Sequence, residues 1–167
     1  GTGDGSGSSW TNAMDSADFA EKMGTLGSTD KLLAKTGAAA TTSLDVTFYL
    51  KKGQYDLTRT LPLTKGVKVY GGFDGTETAP GQRNITAIMS GDNAMNAEQA
   101  TILSRDAGAA SNDYFSIVTG GKGAASADTV LDGVTITGGN GTKINYYYGG
   151  GMYNDDSSPT VANCTFI

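Results

Sequence analysis

The stretch TVLDGVTITGG, at residues 129–139, decides the fold class, because two short apolar runs meet there at an Asp-Gly pair. After the pair, Val134 and Ile136 alternate with threonines, which is typical of a strand with one buried face. Asp132-Gly133 lies inside a continuous apolar stretch and so indicates a corner instead of a hairpin. A corner of this kind is expected where a chain passes from one sheet directly into the next.

Short apolar runs of the same kind recur after residue 45, separated by Gly, Asn, Asp, Ser and Thr, which is typical of an all-β chain with many tight turns. The predicted strands are VTFYL (46–50), VKVYGGF (67–73), ITAIMSG (85–91), ATILS (100–104), YFSIV (114–118), TVLDGVTITGG (129–139) and TVANCTFI (160–167). At about 20–25 residues for each coil, they predict about five stacked coils of a parallel β-solenoid. A β-sandwich is the alternative.

Alternation within these runs predicts one continuous core between stacked parallel sheets. The side chains expected in that core are Phe48, Leu50, Val67, Val69, Ile102, Leu131, Val134, Ile136, Val161 and Phe166.

Residues 1–45 have a different composition, rich in Ala, Met, Lys and Asp. Asp15 or Ser16 is suited to begin a helix over residues 17–23, which Gly24 would end. Residues 31–35 predict a second, shorter helix. We expect this region to form a cap over the first coil, because an uncovered coil exposes strand edges and core side chains.

Composition excludes several classes of function. A net charge of −5 with few basic clusters argues against nucleic acid, which requires Lys and Arg. No apolar run approaches the ~18 residues of a membrane span. The chain has no histidine and one cysteine, Cys164, so Ser-His-Asp chemistry, Cys-His chemistry and an internal disulfide framework are all excluded.

Six segments, in order, resemble a family of bacterial surface proteins. They are GDGSGSSWTNAM (3–14), VTFYLKKGQY (46–55), GVKVYGGFDGTET (66–78), ATILS (100–104), TVLDGVTITGGN (129–140) and GGGMYNDDSSPTVANCTF (149–166). The family has pectin-lyase-like parallel β-helices and is related to chlamydial polymorphic outer-membrane proteins. The resemblance implies a right-handed parallel β-helix with a short N-terminal α-helical cap, displayed at the cell surface. Residues 27–45 and 88–99 depart from the pattern and are interpreted as enlarged loops.

The expected organisation is a single domain, residues 1–167, with a cap region over 1–45 and β-helix coils over 46–167. The apolar strand at 160–167 has no capping signal after it, so we expect a longer solenoid of which this is the N-terminal portion. An isolated chain is then expected to associate with itself through its C-terminal coil.

Two groups of side chains are candidate binding residues. Tyr146, Tyr147 and Tyr148 could form an aromatic platform for sugar rings, but packing against a neighbouring coil is the favoured interpretation. Asn154, Asp155 and Asp156 offer oxygen ligands for Ca²⁺. No EF-hand spacing or nonapeptide repeat accompanies them, so a solvated loop is the favoured interpretation, and no metal or other cofactor is expected.

No catalytic residue is assigned. Polysaccharide lyases and glycoside hydrolases need clustered carboxylates, whereas the acidic residues of the strand region mostly adjoin turn residues. The predicted function is therefore a secreted or cell-surface, adhesin-like module that presents a binding surface to glycans or to host or neighbouring-cell proteins. The alternative is the N-terminal part of a carbohydrate-active enzyme whose catalytic cluster lies beyond Ile167.

Overall fold

The structure is a computed structural model that describes Phe19 and residues 46–89, 95–105, 116–120, 128–143, 146–147 and 149–167. These residues are mostly β-strand with almost no helix. The strands are β1 Val46–Lys51, β2 Gly53–Leu57, β3 Leu61–Pro62, β4 Val67–Phe73, β5 Thr101–Arg105, β6 Val118–Gly120, β7 Val130–Asp132, β8 Val134–Thr137, β9 Thr142–Lys143, β10 Tyr146–Tyr147, β11 Met152–Asn154, β12 Thr160–Ala162 and β13 Thr165–Phe166. The predicted all-β class is confirmed.

Three parallel sheets contain eleven of these strands. Sheet A has the order β1-β4-β7-β12, sheet B the order β13-β8-β5-β2, and sheet C the order β11-β6-β3. Along the chain, strands enter sheets A, B and C in that repeating order, and we call one such passage a circuit. Each strand therefore pairs with the equivalent strand of the neighbouring circuit, in parallel, as predicted. The hairpin β9–β10 is the antiparallel exception among the described strands.

The first strands of successive circuits, those in sheet A, begin at Val46, Val67, Val130 and Thr160. The first circuit is compact, while the second is the longest because long connections follow β4, β5 and β6. The described residues give three complete circuits and the first two strands of a fourth. The described residues thus form fewer circuits than the five coils predicted, because the circuits differ in length.

One cluster of buried side chains receives members from all three parallel sheets. It comprises Phe19, Phe48, Leu50, Leu57, Leu61, Leu63, Val67, Val69, Leu103, Ile117, Val118, Leu131, Val134 and Ile136. Seven of the ten predicted core residues belong to it. Phe19, which is helical, joins it from the N-terminal region and makes an edge contact with Phe48 at 5.4 Å between ring centroids.

Three predicted core residues lie elsewhere. Ile102 is buried, but in a separate cluster with Ile88 and Ala100. Strand register explains this, because Leu103 aligns with Tyr55 and Ile136 and so takes the inward position on β5. The alternation of a strand then directs Ile102 to the opposite face.

Val161 and Phe166 were also predicted to be buried, and this prediction was wrong. Val161 is 40% exposed and Phe166 is 48% exposed. Both belong to the outermost strands of their sheets, β12 and β13, so each has a paired strand on one side only within the described residues.

The corner predicted at Asp132-Gly133 is confirmed. Gly133 joins β7 of sheet A to β8 of sheet B with φ +75°, a conformation that a residue with a Cβ rarely adopts. Asn163 occupies the same corner of the next circuit with φ 49°. The stretch 160–167, predicted as one strand, is consequently two short strands, because the left-handed backbone at Asn163 interrupts it.

The segment 85–91 was predicted to be a strand, but Ile85–Ile88 is a short helix, α1. The side chain of Asn84 accepts a hydrogen bond from the backbone N–H of Ala87 at 3.1 Å, which is a helix N-cap. A 3₁₀ turn at Pro80–Gln82 precedes it. Apolar Ile85 and Ile88 cover Ile102 on sheet B, so these residues serve packing and not strand pairing.

Phe19 lies within the first predicted N-terminal helix, at residues 17–23, and is helical, whereas the other residues of the two predicted helices, among them Ala17, Ala20 and Met23, lie outside the described residues. In the part of the chain that is described, no helix has both the length and the apolar character needed to cross a membrane.

Candidate functional site

Arg83 attaches the connection between β4 and β5 to the outside of sheet A. Its Nε donates to the Pro80 carbonyl at 2.8 Å, and Nη1 donates to the Gly71 carbonyl at 2.8 Å. Nη2 donates to Oδ2 of Asp132 at 2.9 Å, forming an ion pair. The side chain of Arg83 is only 4% exposed. One buried guanidinium thus connects two adjacent circuits.

Asp132 extends this connection to a third circuit. Its Oδ1 accepts a hydrogen bond from Nδ2 of Asn163 at 2.8 Å, while its Oδ2 binds Arg83. Strand register places Tyr70, Asp132 and Ala162 side by side in sheet A, so these contacts run across the stack. Both carboxylate oxygens are engaged, which is the arrangement of a structural carboxylate and not of an acid or base awaiting substrate.

A β-bulge in β4 creates an aromatic cluster on the same outer face. Tyr49 pairs with Tyr70, but Lys51 pairs with Phe73, so the residues at 71 and 72 together oppose a single residue of β1. The extra residue brings Phe73 to the outward face, where its ring stacks on that of Tyr49 at 4.8 Å with an interplanar angle of 25°. Tyr70 contacts Tyr49 edge-on at 6.1 Å.

Arg83 holds this cluster from the other side. Its guanidinium carbon lies 5.2 Å from the ring centroid of Tyr70 and 5.4 Å from that of Phe73, within the range of a cation–π contact. Phe73 is fully buried and Tyr49 is 38% exposed. The result is a fixed group of rings with Tyr49 at the solvent, which we call the outer aromatic cluster (Tyr49, Tyr70, Phe73).

The predicted tyrosine platform falls on the hairpin. Tyr146 and Tyr147 form β10 and pair antiparallel with β9, Tyr146 opposite Lys143 and Tyr147 opposite Thr142. Tyr148 lies outside the described residues. The hairpin departs from the parallel order of the sheets, since it is inserted between β8 of sheet B and β11 of sheet C.

Glycines close the base of this hairpin. A Cβ at Gly139 would collide with the carbonyl of Gly150, and one at Gly150 would lie 2.8 Å from the Gly139 carbonyl oxygen. The two ends of the insertion therefore touch backbone to backbone, which only glycine permits. Ile117 fixes the returning end, because its N–H donates to the Gly150 carbonyl at 3.0 Å.

The second predicted group, Asn154 to Asp156, begins at the last residue of β11 and continues into the bend that follows it. The N–H of Asp155 donates to the Gly120 carbonyl at 2.9 Å, and Asp156 has a left-handed backbone with φ 49°. All three residues are exposed. Within the described ranges, no three His, Cys, Asp or Glu side chains are grouped so that they could hold a metal ion.

Two other carboxylates are held by hydrogen bonds. Two hydrogen bonds to Oδ1 of Asp56 lower the pKa of this carboxyl. The Ser104 hydroxyl, at 2.6 Å, has the larger effect, and the Gln54 amide, at 2.9 Å, has the smaller one. Burial raises the pKa of Glu77, but hydrogen bonds from the backbone N–H groups of residues 74–76 lower it further, so the net shift of this pKa is downward. Both carboxylates are therefore charged at neutral pH and stabilise local turns and pairing.

The sequence analysis missed Arg83 and the outer aromatic cluster. A lone arginine in a polar loop gives no periodic signal, and the two glycines after Tyr70 concealed the change of face at Phe73. The available signal was the pair Gly71-Gly72 in a strand, because glycine inside a strand often marks a bulge or a close backbone approach. A Cβ at Gly71 would lie 2.5 Å from the Gly133 carbonyl oxygen, which confirms such an approach.

Comparisons with protein-family models, with curated proteins and with solved structures found no match to this chain.

Proposed function

We propose that this chain forms a right-handed parallel β-helix, secreted or exposed at a bacterial cell surface, that acts as a rigid, non-enzymatic module and presents a glycan-binding hairpin. The observation that carries the proposal is the repeating entry of strands into sheets A, B and C around a shared core. Stacked circuits of this kind give a stiff scaffold, and insertions between strands are where such scaffolds carry recognition loops.

The hairpin β9–β10 is the recognition element in this proposal. Its base is closed by the backbone contact between Gly139 and Gly150, which fixes where the hairpin leaves the sheets. It carries three consecutive tyrosines at residues 146–148. Tyrosine combines a large apolar ring with a hydroxyl, and this combination suits the mixed apolar and polar surface of a sugar.

Carboxylate chemistry supports a binding role over a catalytic one. Asp132, Asp56 and Glu77 are each engaged by structural partners, namely Arg83, Ser104 and backbone N–H groups. A glycosidase needs two carboxylates placed on either side of a substrate bond. The proposed location at the cell surface rests on the resemblance of the sequence to bacterial surface proteins.

A glycan array tests the proposal, followed by titration of the retained glycan. We expect the double variant Tyr146→Ala/Tyr147→Ala to lose at least about tenfold in affinity, on the order of two aromatic contacts. The matched control Tyr146→Phe/Tyr147→Phe keeps both rings and should retain most of the binding.

Three results would contradict the proposal. They are failure of the native chain to retain any glycan, equal affinity of the Ala and Phe double variants, and release of new reducing ends or unsaturated sugars from a bound polysaccharide.

A further inference from the structure

We infer that a second subsite, for sugars that carry a carboxylate, lies on the outer face of sheet A at Tyr49 and Lys51. The inference rests on the proposed glycan-binding function, but it is independent of the hairpin. Tyr49 provides an apolar ring face and Lys51 provides a cation. Both belong to β1, on which Thr47, Tyr49 and Lys51 are exposed while Phe48 and Leu50 are buried.

The ring of Tyr49 is held in place before any ligand arrives. Phe73 stacks on it at 4.8 Å, Tyr70 contacts it edge-on, and Arg83 fixes both of these neighbours from the far side. An exposed tyrosine normally loses rotational freedom when a ligand covers it. Packing already restricts the ring of Tyr49. A ligand that stacks on it therefore causes a smaller loss of conformational entropy than a ligand that stacks on a mobile surface tyrosine.

The backbone of Lys51 is held equally firmly. Its carbonyl accepts hydrogen bonds from the hydroxyl of Thr101 at 2.9 Å and from that of Tyr55 at 3.1 Å. Its side chain crosses Gly75, where an added Cβ would lie 3.2 Å from Cε of Lys51. Glycine at 75 therefore leaves room for this path of the lysine side chain.

The neighbouring charges have partners of their own. Lys52 pairs with Asp74 at 2.8 Å, and the Glu77 carboxylate accepts hydrogen bonds from backbone N–H groups. Lys51 is thus an exposed cation on the same face of β1 as the exposed ring of Tyr49, two positions away along the strand. Charge complementarity at this position favours a ligand with a negative group next to an apolar ring, and a uronic acid has both.

The length of the row suits a short oligosaccharide. Residues 47 to 51 are four positions apart, which corresponds to about 13 Å along an extended strand. Alternate side chains project from the same face, so a hydroxyl, an aromatic ring and an ammonium group follow one another along the row. A linear acidic glycan lying parallel to β1 would meet all three.

Isothermal titration with two matched probes tests the inference. The probes are a β-1,4-linked glucuronic acid tetramer and cellotetraose, which differ in the carboxylate at C6. We expect the acidic tetramer to bind about two- to fivefold more tightly at low ionic strength, with the difference shrinking in 0.5 M salt. Lys51→Gln should abolish the difference, and Tyr49→Ala should weaken both probes about three- to tenfold.

Controls separate the two proposals. Tyr49→Phe keeps the ring and should bind like the native chain, while Tyr146→Ala/Tyr147→Ala should leave the ratio between the two tetramers unchanged. If Tyr49→Ala does not fold, the change Lys51→Gln, at an exposed residue, decides the matter. Equal affinity of the native chain for the two tetramers overturns this inference, as does the same preference in Lys51→Gln. If glycan is retained solely through the hairpin, this inference fails while the proposed function stands.

Discussion

Burial of an arginine destabilises a protein unless the guanidinium N–H groups donate hydrogen bonds, and those of Arg83 do so. Its guanidinium donates to three backbone carbonyls, those of Pro80, Gly71 and Asp132, and to the Asp132 carboxylate, and it lies against two aromatic rings. These partners come from three parts of the sequence, namely β4, the connection that follows it, and β7. A single side chain therefore determines how the connection after β4 sits on sheet A.

Replacing this residue should be strongly destabilising. Arg83→Met leaves the largely buried Asp132 carboxylate without its counter-charge, and breaking a buried pair in this way costs about 3–5 kcal/mol. The matched control is Asp74→Asn, which breaks an ion pair of similar length at its 60% exposed carboxylate and should cost about 1 kcal/mol or less. Urea unfolding followed by circular dichroism measures both, and equal losses in the two variants would refute the structural role of Arg83.

Corners between strands are the elements that the sequence revealed best. Gly133 was predicted as a corner because an Asp-Gly pair interrupts a continuous apolar run, and the structure confirms it with a left-handed backbone. Its counterpart Asn163 was not recognised, because asparagine within an apolar stretch is also compatible with a continuous strand. Helix α1 was missed for a related reason, since four residues are too few to show a helical period.

Adding a side chain at the Gly133 corner should lower the free energy of unfolding. Gly133→Ala forces a side chain into φ +75° and places a Cβ 2.7 Å from Nη1 of Arg83, so we expect a loss of about 2 kcal/mol or more. Gly81→Ala is the control, because Gly81 has no atom within 4 Å of an added Cβ, and it should be neutral or slightly stabilising. Thermal melting of both variants gives the comparison, and a neutral Gly133→Ala would show that the corner tolerates a different backbone.

Across the whole molecule, the stack of circuits leaves apolar side chains exposed on its outermost strands. Val161 and Phe166 belong to β12 and β13, and Ile167 follows them with 64% of its surface exposed. Strand edges of this kind present unpaired backbone groups next to apolar side chains, which favours pairing with another chain.

The isolated 167-residue chain should consequently associate in a concentration-dependent manner. Full burial of an exposed apolar side chain contributes about 1.5–3 kcal/mol, so covering two or three of them is sufficient for weak dimerisation. Light scattering across a concentration series measures the association. Phe166→Lys should reduce it, whereas the same charge at the exposed Met95 should not. A strictly monomeric native chain at high concentration would contradict the expectation.

Local features of the sequence determined the all-β class, the alternation within β1, β4 and β8, and the Gly133 corner. They could do so because side-chain alternation and glycine's conformational freedom act over two or three residues. Tertiary structure alone decided that Leu103 and not Ile102 faces the main core, that a bulge turns Phe73 outward, and that Arg83 meets Asp132. Those outcomes depend on the register between strands that are distant in the chain, and register is set when the circuits stack together.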